Sequence, residues 1–198
     1  AKHVDDHGGT VEEGKLLQSV GDPKHYPHIS FLMMLAQSLN DKDEDNNFYR
    51  RWYTKAEAVK AAEAIIEKTV SALEDLKKPI SEEALLTIVK NNAKTVLGET
   101  PSSEAIESYL GISKHIKKNP YGEFGLASWP TINPRGIRDK AYAVLTRSGA
   151  PLHFREVASA IDKAGWNKRK AHPQTVHNEL IKDGRFTLVG RGLYALKE

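Results

Sequence analysis

Arg185-Phe-Thr-Leu-Val-Gly-Arg-Gly-Leu-Tyr-Ala-Leu196 is the stretch whose reading decides the fold. Two β-rich runs flank Gly190-Arg191-Gly192, where both glycines are expected to supply positive φ, so the stretch reads as a β-hairpin. Just before it, Pro173 to Ile181 places Val176, Leu180 and Ile181 at inward helical positions. Its proline sits at the first helical position, where the missing N–H does no harm. Further upstream, the turn Gly149-Ala150-Pro151-Leu152 leads into a helix carrying Val157 and Ile161. Before that, Arg135 to Arg147 aligns Ile137, Ala141, Val144 and Leu145 on one face. Three helices followed by a two-stranded wing are the layout of a winged helix-turn-helix unit.

The same layout recurs twice further toward the N-terminus. A turn, an apolar residue and apolar helix positions five and nine residues later appear as Val11, Leu16 and Val20 and again as Ile80, Leu85 and Val89, matching Leu152, Val157 and Ile161. Glutamates follow each turn early (Glu12 and Glu13, Glu82 and Glu83, Glu156), which suits the positive end of a helix dipole. A second apolar helix follows in each copy, over Phe31–Leu39, Glu104–Ile112 and Pro173–Ile181, and then a segment rich in aromatics and turn residues. Tyr53 to Leu76 supplies a long opening helix for the second copy, with Ala56, Val59, Ala62, Ile65, Ile66, Val70 and Leu73 on one face. Only Ala1 to Asp6 stand where the first copy's opening helix belongs, so the chain is read as beginning inside that helix. The expected fold class is mainly α with small β-hairpin wings: three tandem winged helix-turn-helix units over residues 1–54, 55–132 and 133–198.

The chain has 198 residues, 39% hydrophobic and 28% charged, with no cysteine. That excludes a disulfide framework, a thiolate nucleophile and a zinc finger. The longest apolar run, Phe31 to Ala36, is far too short to cross a bilayer, and no signal peptide opens the chain, so no membrane partner and a cytoplasmic, nucleoid-associated location are expected. The net charge of +3 conceals an asymmetry: residues 134–198 carry 13 Lys+Arg against 6 Asp+Glu, and residues 1–133 carry 16 against 20. A basic C-terminal part after an acidic body points to a polyanion partner held at that end.

Gly149-Ala-Pro-Leu-His-Phe-Arg-Glu-Val-Ala158, His172-Pro-Gln-Thr-Val-His-Asn-Glu-Leu180 and Asp183-Gly-Arg-Phe-Thr-Leu-Val-Gly-Arg-Gly-Leu-Tyr194 together resemble a HARE-HTH domain, a winged-helix module related to the delta subunit of bacterial RNA polymerase. Asn119-Pro-Tyr-Gly-Glu-Phe-Gly-Leu-Ala-Ser-Trp-Pro-Thr-Ile-Asn-Pro-Arg-Gly-Ile-Arg-Asp-Lys-Ala141 resembles the linker of a narrower group, bacterial sigma-factor-like proteins that end in this module. The resemblance implies a role in transcription through contact with duplex DNA, RNA polymerase or both. An adaptor docking on RNA polymerase or another transcription component is the alternative. The targeting half of a nuclease system is more remote.

In a helix-turn-helix the second helix offers its solvent-facing side chains to the major groove. Here those are Gln174, Thr175, His177 and Asn178. Gln and Asn can make paired hydrogen bonds to adenine, and Thr can touch a thymine methyl. Lys168, Arg169 and Lys170 just upstream suit phosphate contacts, and Arg185 and Arg191 suit the adjoining backbone or minor groove. The first copy reads differently. Its third helix is crowded with Phe31, Leu32, Met33, Met34 and Leu35, and its wing loop Asp41-Lys-Asp-Glu-Asp45 is acidic, fitting a basic partner or plain solvation. That loop fails as an EF-hand, since Asn46 and Trp52 stand where Gly and Glu are needed. The eight histidines form no zinc spacing, and His153 and His172 read as helix-start residues. With no nucleophilic triad, phosphate loop or paired carboxylates, the expectation is a non-enzyme without catalytic residues, metal or cofactor. Trp52 and Trp129 read as core, and Trp166 as less certain beside the basic loop.

Overall fold

The computed structural model describes residues 1–166 and 169–197, over which helices dominate and short antiparallel sheets punctuate them. The chain forms two compact units, residues 1–78 with 82–116 and residues 79–81 with 117–198. These cut across the three segments expected from the sequence: the helices of the middle segment fall in the first unit, and most of its hairpin falls in the second.

The first unit opens with α1 (Lys2–Asp6), β1 (Thr10–Glu12), α2 (Glu13–Val20), α3 (Tyr26–Leu35), β2 (Asn40–Lys42) and β3 (Arg51–Tyr53). The sheet order is β1–β3–β2, with Val11 and Asp41 both opposite Trp52. Val4, Leu16, Leu17, Met33 and the fully buried Trp52 pack around Val11 as its core. The Glu12 carboxylate caps α2, accepting from Gly14 N and Lys15 N at 2.8 Å. Two expectations shift here. Helix α3 starts five residues early, because Asp22 caps a 3-10 turn at Pro23–His25 that runs straight into it. Val20 is exposed rather than buried, because α2 ends there and the chain leaves in an extended conformation at Gly21.

Three helices complete this unit: α4 (Ala56–Leu76), α5 (Glu82–Leu97) and α6 (Ser103–Ile112). Val59, Ala62, Ile65, Ile66 and Leu73 form the buried stripe of α4, as its periodicity predicts. Thr69 on α4 accepts from Asn92 on α5 at 3.1 Å. Helix α6 closes against β1: Ser108 Oγ donates to Thr10 O at 2.6 Å, and Tyr109 OH donates to Gly8 O at 3.2 Å. Gly8 sits at φ 78°, and a Cβ there would come within 2.4 Å of the Tyr109 hydroxyl, so both backbone and packing demand glycine.

The acidic wing loop is not a free negative surface. Arg51, fully buried, donates from Nε to Glu63 at 2.8 Å, from Nη2 to Glu63 and to Asp45 (3.1 Å), and from Nη1 to the carbonyls of Tyr49 (3.0 Å) and Asp43 (3.3 Å). Arg50 pairs with Asp41 at 2.5 Å, Lys42 with Glu63 at 2.9 Å, and Lys114 with Glu44 at 3.3 Å. Much of the charge read as available to a basic partner is thus neutralised within the fold.

In the second unit, β4 (Ile116–Lys118) and β5 (Phe124–Leu126) form a hairpin. Ile80 bridges Phe124 with hydrogen bonds of 2.8 and 2.9 Å in both directions. The buried Asn119 side chain builds the hairpin turn: its oxygen accepts from Tyr121 N and Glu123 N at 3.0 Å, and its amide donates to Glu123 and to Thr131 O. There follow α7 (Ile137–Ser148), β6 (Leu152–His153), α8 (Phe154–Ala164), α9 (Pro173–Lys182), β7 (Phe186–Gly190) and β8 (Leu193–Leu196). The sheet order β6–β8–β7 repeats that of β1–β3–β2. Ala141, Val144, Leu145, Val157, Ile161, Val176, Leu180, Phe186 and Tyr194 make a core of its own. His153 caps α8 in a reciprocal arrangement with Glu156, as a helix-start residue should. His172 occupies the N-cap of α9 without a side-chain capping bond.

Candidate nucleic-acid interface

Helix α8 ends at Gly165, in the left-handed region at φ 77°, and the chain then crosses the basic loop to α9. The far end of that loop is fixed, because Ala171 N donates to the Asp162 carboxylate on α8 at 2.7 Å. Arg169 and Lys170 are exposed beside the N-terminus of α9, whose unpaired N–H groups and dipole add positive potential. Lys168 lies outside the described residues.

The outward face of α9 follows from helical spacing. Val176 and Leu180 are buried, while Gln174, Thr175, Asn178, Ile181 and Lys182 are exposed within a single arc. Ile181, expected to turn inward, is 63% exposed. At 100° per residue it stands beside Gln174 and Asn178, whereas Leu180 alone completes the buried stripe with Val176. Ile181 and Lys182 are the residues missed on this face, and the i+3 and i+4 spacing from Asn178 is the signal that finds them. Gln174 Nε2 donates to Asn178 Oδ1 at 3.2 Å, which aligns the two amides along the helix.

His177 and Arg185 are placed differently from the rest. The His177 ring is half-buried, stacked 4.6 Å from Phe154, with Nδ1 hydrogen-bonded to the Tyr194 hydroxyl at 3.0 Å. It ties α9 to α8 and β8. Arg185 grips Asp183 with Nε and Nη2, donates from Nη2 to Asp139 at 3.0 Å, and lies over Tyr142. The hydrogen bonds from Arg185 outweigh partial burial and hold the Asp183 carboxyl below its usual range, while Asp183 and Asp139 raise the guanidinium in turn. The donors that would grip a phosphate are already engaged.

The wing tip carries the exposed Arg191 between Gly190 and Gly192. Only Gly192 takes positive φ, at 75°, because a bulge between Leu188 and Gly190 turns the chain before it. A Cβ on Gly192 would stand 2.6 Å from His153 Nε2. Exposed Leu188 and Val189 line β7, the edge strand of its sheet. Trp166 packs edge-on against Tyr121 at 5.3 Å and Trp129 is half-buried, so neither is an open platform for stacking bases. Among the described residues, no cluster of three or more His, Asp or Glu is arranged to hold a metal ion, and no helix is long and apolar enough to cross a membrane.

Residues 137–198, less than half of the chain, match the HARE-HTH family, described as the ASXL and restriction endonuclease HTH domain. No curated protein and no solved structure matches the chain. The matched span begins at α7 and runs through the wing, so it coincides with the helices, turn and sheet built above. A helix-turn-helix with these exposed groups is consistent with DNA binding.

Proposed function

We propose that the chain is a non-enzymatic, transcription-associated protein whose C-terminal winged helix binds duplex DNA. The observation that carries this reading is the exposed arc of Gln174, Thr175, Asn178 and Lys182 beside Arg169 and Lys170, on a part of the chain with 13 basic against 6 acidic residues. The amides and the threonine read base edges, Arg169, Lys170 and Arg191 hold phosphates, and His177 and Arg185 keep the helix and the wing in place. We further propose that the chain is built of three winged-helix units. What supports this is the shared sheet order of the first and third segments, together with the Ile80–Phe124 bridge, which gives the middle segment the counterpart of its neighbours' first strand.

The test is fluorescence anisotropy with a random-sequence duplex at two salt concentrations, with the double variant R169A/K170A in parallel. Binding that weakens steeply with salt, with a slope shallower by about 2 in the variant, is the expected outcome of counterion release from two phosphates. No binding at low salt overturns the reading. A docking function is favoured by one observation, the exposed Leu188 and Val189 on an edge strand, which offers a partner strand both backbone pairing and an apolar face. In that case retention of RNA polymerase, abolished by L188D/V189D, replaces DNA binding as the outcome.

A further inference from the structure

Helix α3 occupies, in the first segment, the place that α9 holds in the third, yet its surface is of the opposite kind. From Tyr26 to Ala36 it contains no Asp, Glu, Lys or Arg. Its ten residues split cleanly into two faces. Tyr26, Ile29, Ser30 and Met33 turn toward α2 and the sheet, and Met33 is buried in the core. Pro27, His28, Phe31, Leu32, Met34 and Leu35 turn away, and the last four are 61%, 63%, 55% and 63% exposed.

Four side chains of this size, each more than half exposed, present on the order of 400–500 Å² of apolar surface, at the upper end of what a monomer leaves uncovered. Burying a helix face of that area on each of two partners removes roughly 1,000 Å² in all, the size at which a specific interface becomes stable.

We propose that this face pairs two copies of the chain, α3 against α3 across a two-fold axis. A two-fold interface brings each patch against its own image, so any formal charge would meet a like charge. The outward face of α3 carries none, and is therefore self-complementary without ion pairing. A basic or acidic partner would find nothing on it to read. Close packing of the two helices is set by Phe31 and Leu35, which stand one turn apart at the centre of the arc and interdigitate with their images. This pairing does not depend on whether residues 137–198 bind DNA.

Sedimentation equilibrium of the full chain over about 1–200 µM tests it, with F31E/L35E as the variant. Both positions are exposed, so the variant keeps its fold, which its melting temperature verifies. The wild-type mass is expected to rise from 22.0 kDa to twice that value with concentration. Placing four carboxylates face to face is expected to weaken the association at least ~100-fold. A wild-type monomer throughout the range overturns the proposal and leaves the face to a different partner. A dimer unaffected by the substitutions, or a mass that climbs past two copies, overturns it as well.

Discussion

Replacing Glu63 with Ala strikes the most deeply buried charge in the protein. The Arg51 side chain is 0% exposed, and Glu63, 14% exposed, is its main carboxylate partner and also accepts from Lys42. Without Glu63 the guanidinium keeps Asp45, at 44% exposure a weaker partner, the carbonyls of Tyr49 and Asp43, and the Phe48 ring 4.9 Å away. Stranding a buried charge costs about 3–5 kcal/mol, and the residual partners place this case near the lower figure. For a unit of roughly a hundred residues, about 3 kcal/mol corresponds to a fall of some 12–20 °C in melting temperature. The chain has three tryptophans, so a W129F/W166F background leaves Trp52 in the first unit as the sole fluorescent reporter. In that background the E63A midpoint is to be compared with those of E63Q and R51M/E63M. The expected order is E63A lowest, E63Q between, and R51M/E63M within about 1 kcal/mol of the parent, because removing both charges leaves none stranded. A fall under about 3 °C for E63A would refute the claim that Arg51 depends on Glu63.

Three further outcomes follow from the second unit. Arg185→Ala is expected to lower its stability while leaving the salt slope of DNA binding unchanged, whereas N178A is expected to keep stability and lose about 1–3 kcal/mol of discrimination between base sequences, read by competition among duplexes. Gly192→Ala is expected to cost at least about 1–2 kcal/mol in urea unfolding, from the left-handed backbone at φ 75° together with the contact against His153. Asp183 is held below the usual carboxylate range by Arg185, and at Asp45 the N–H groups of Asn47 and Phe48 and the Arg51 guanidinium outweigh the upward push of burial. A depressed folded value contributes stability that is present above the unfolded pKa of about 3.9 and is lost as pH falls through the folded value. Thermal stability is therefore expected to fall on acidification below about pH 4, and D183N is expected to blunt that fall in the second unit. An unchanged acid profile in D183N would show that the Arg185 cluster does not contribute.

The sequence by itself determined the elements and their order. Helical periodicity marked α4, α7 and α8, and the β-rich runs around Gly190-Arg191-Gly192 marked the wing, because these patterns are local and record which side of each element faces a core. It also marked the basic approach to α9 and most of that helix's outward face. What only the tertiary structure decided was the use of polar and apolar groups that have a choice of partner. Arg185 and Arg191 read alike as basic wing residues, yet Asp139, from a helix more than forty residues away, commits the first to the fold. The acidic run at Asp41–Asp45 read as a free surface until Arg50, Arg51 and Lys114 came into place beside it. Ile181 and the outer side of α3 read as core because they are apolar, but burial depends on which neighbours exist to cover a face. No neighbour covers either one. Side-chain type sets what a residue can do at short range, and the long-range contacts of the folded chain set which of those options is taken.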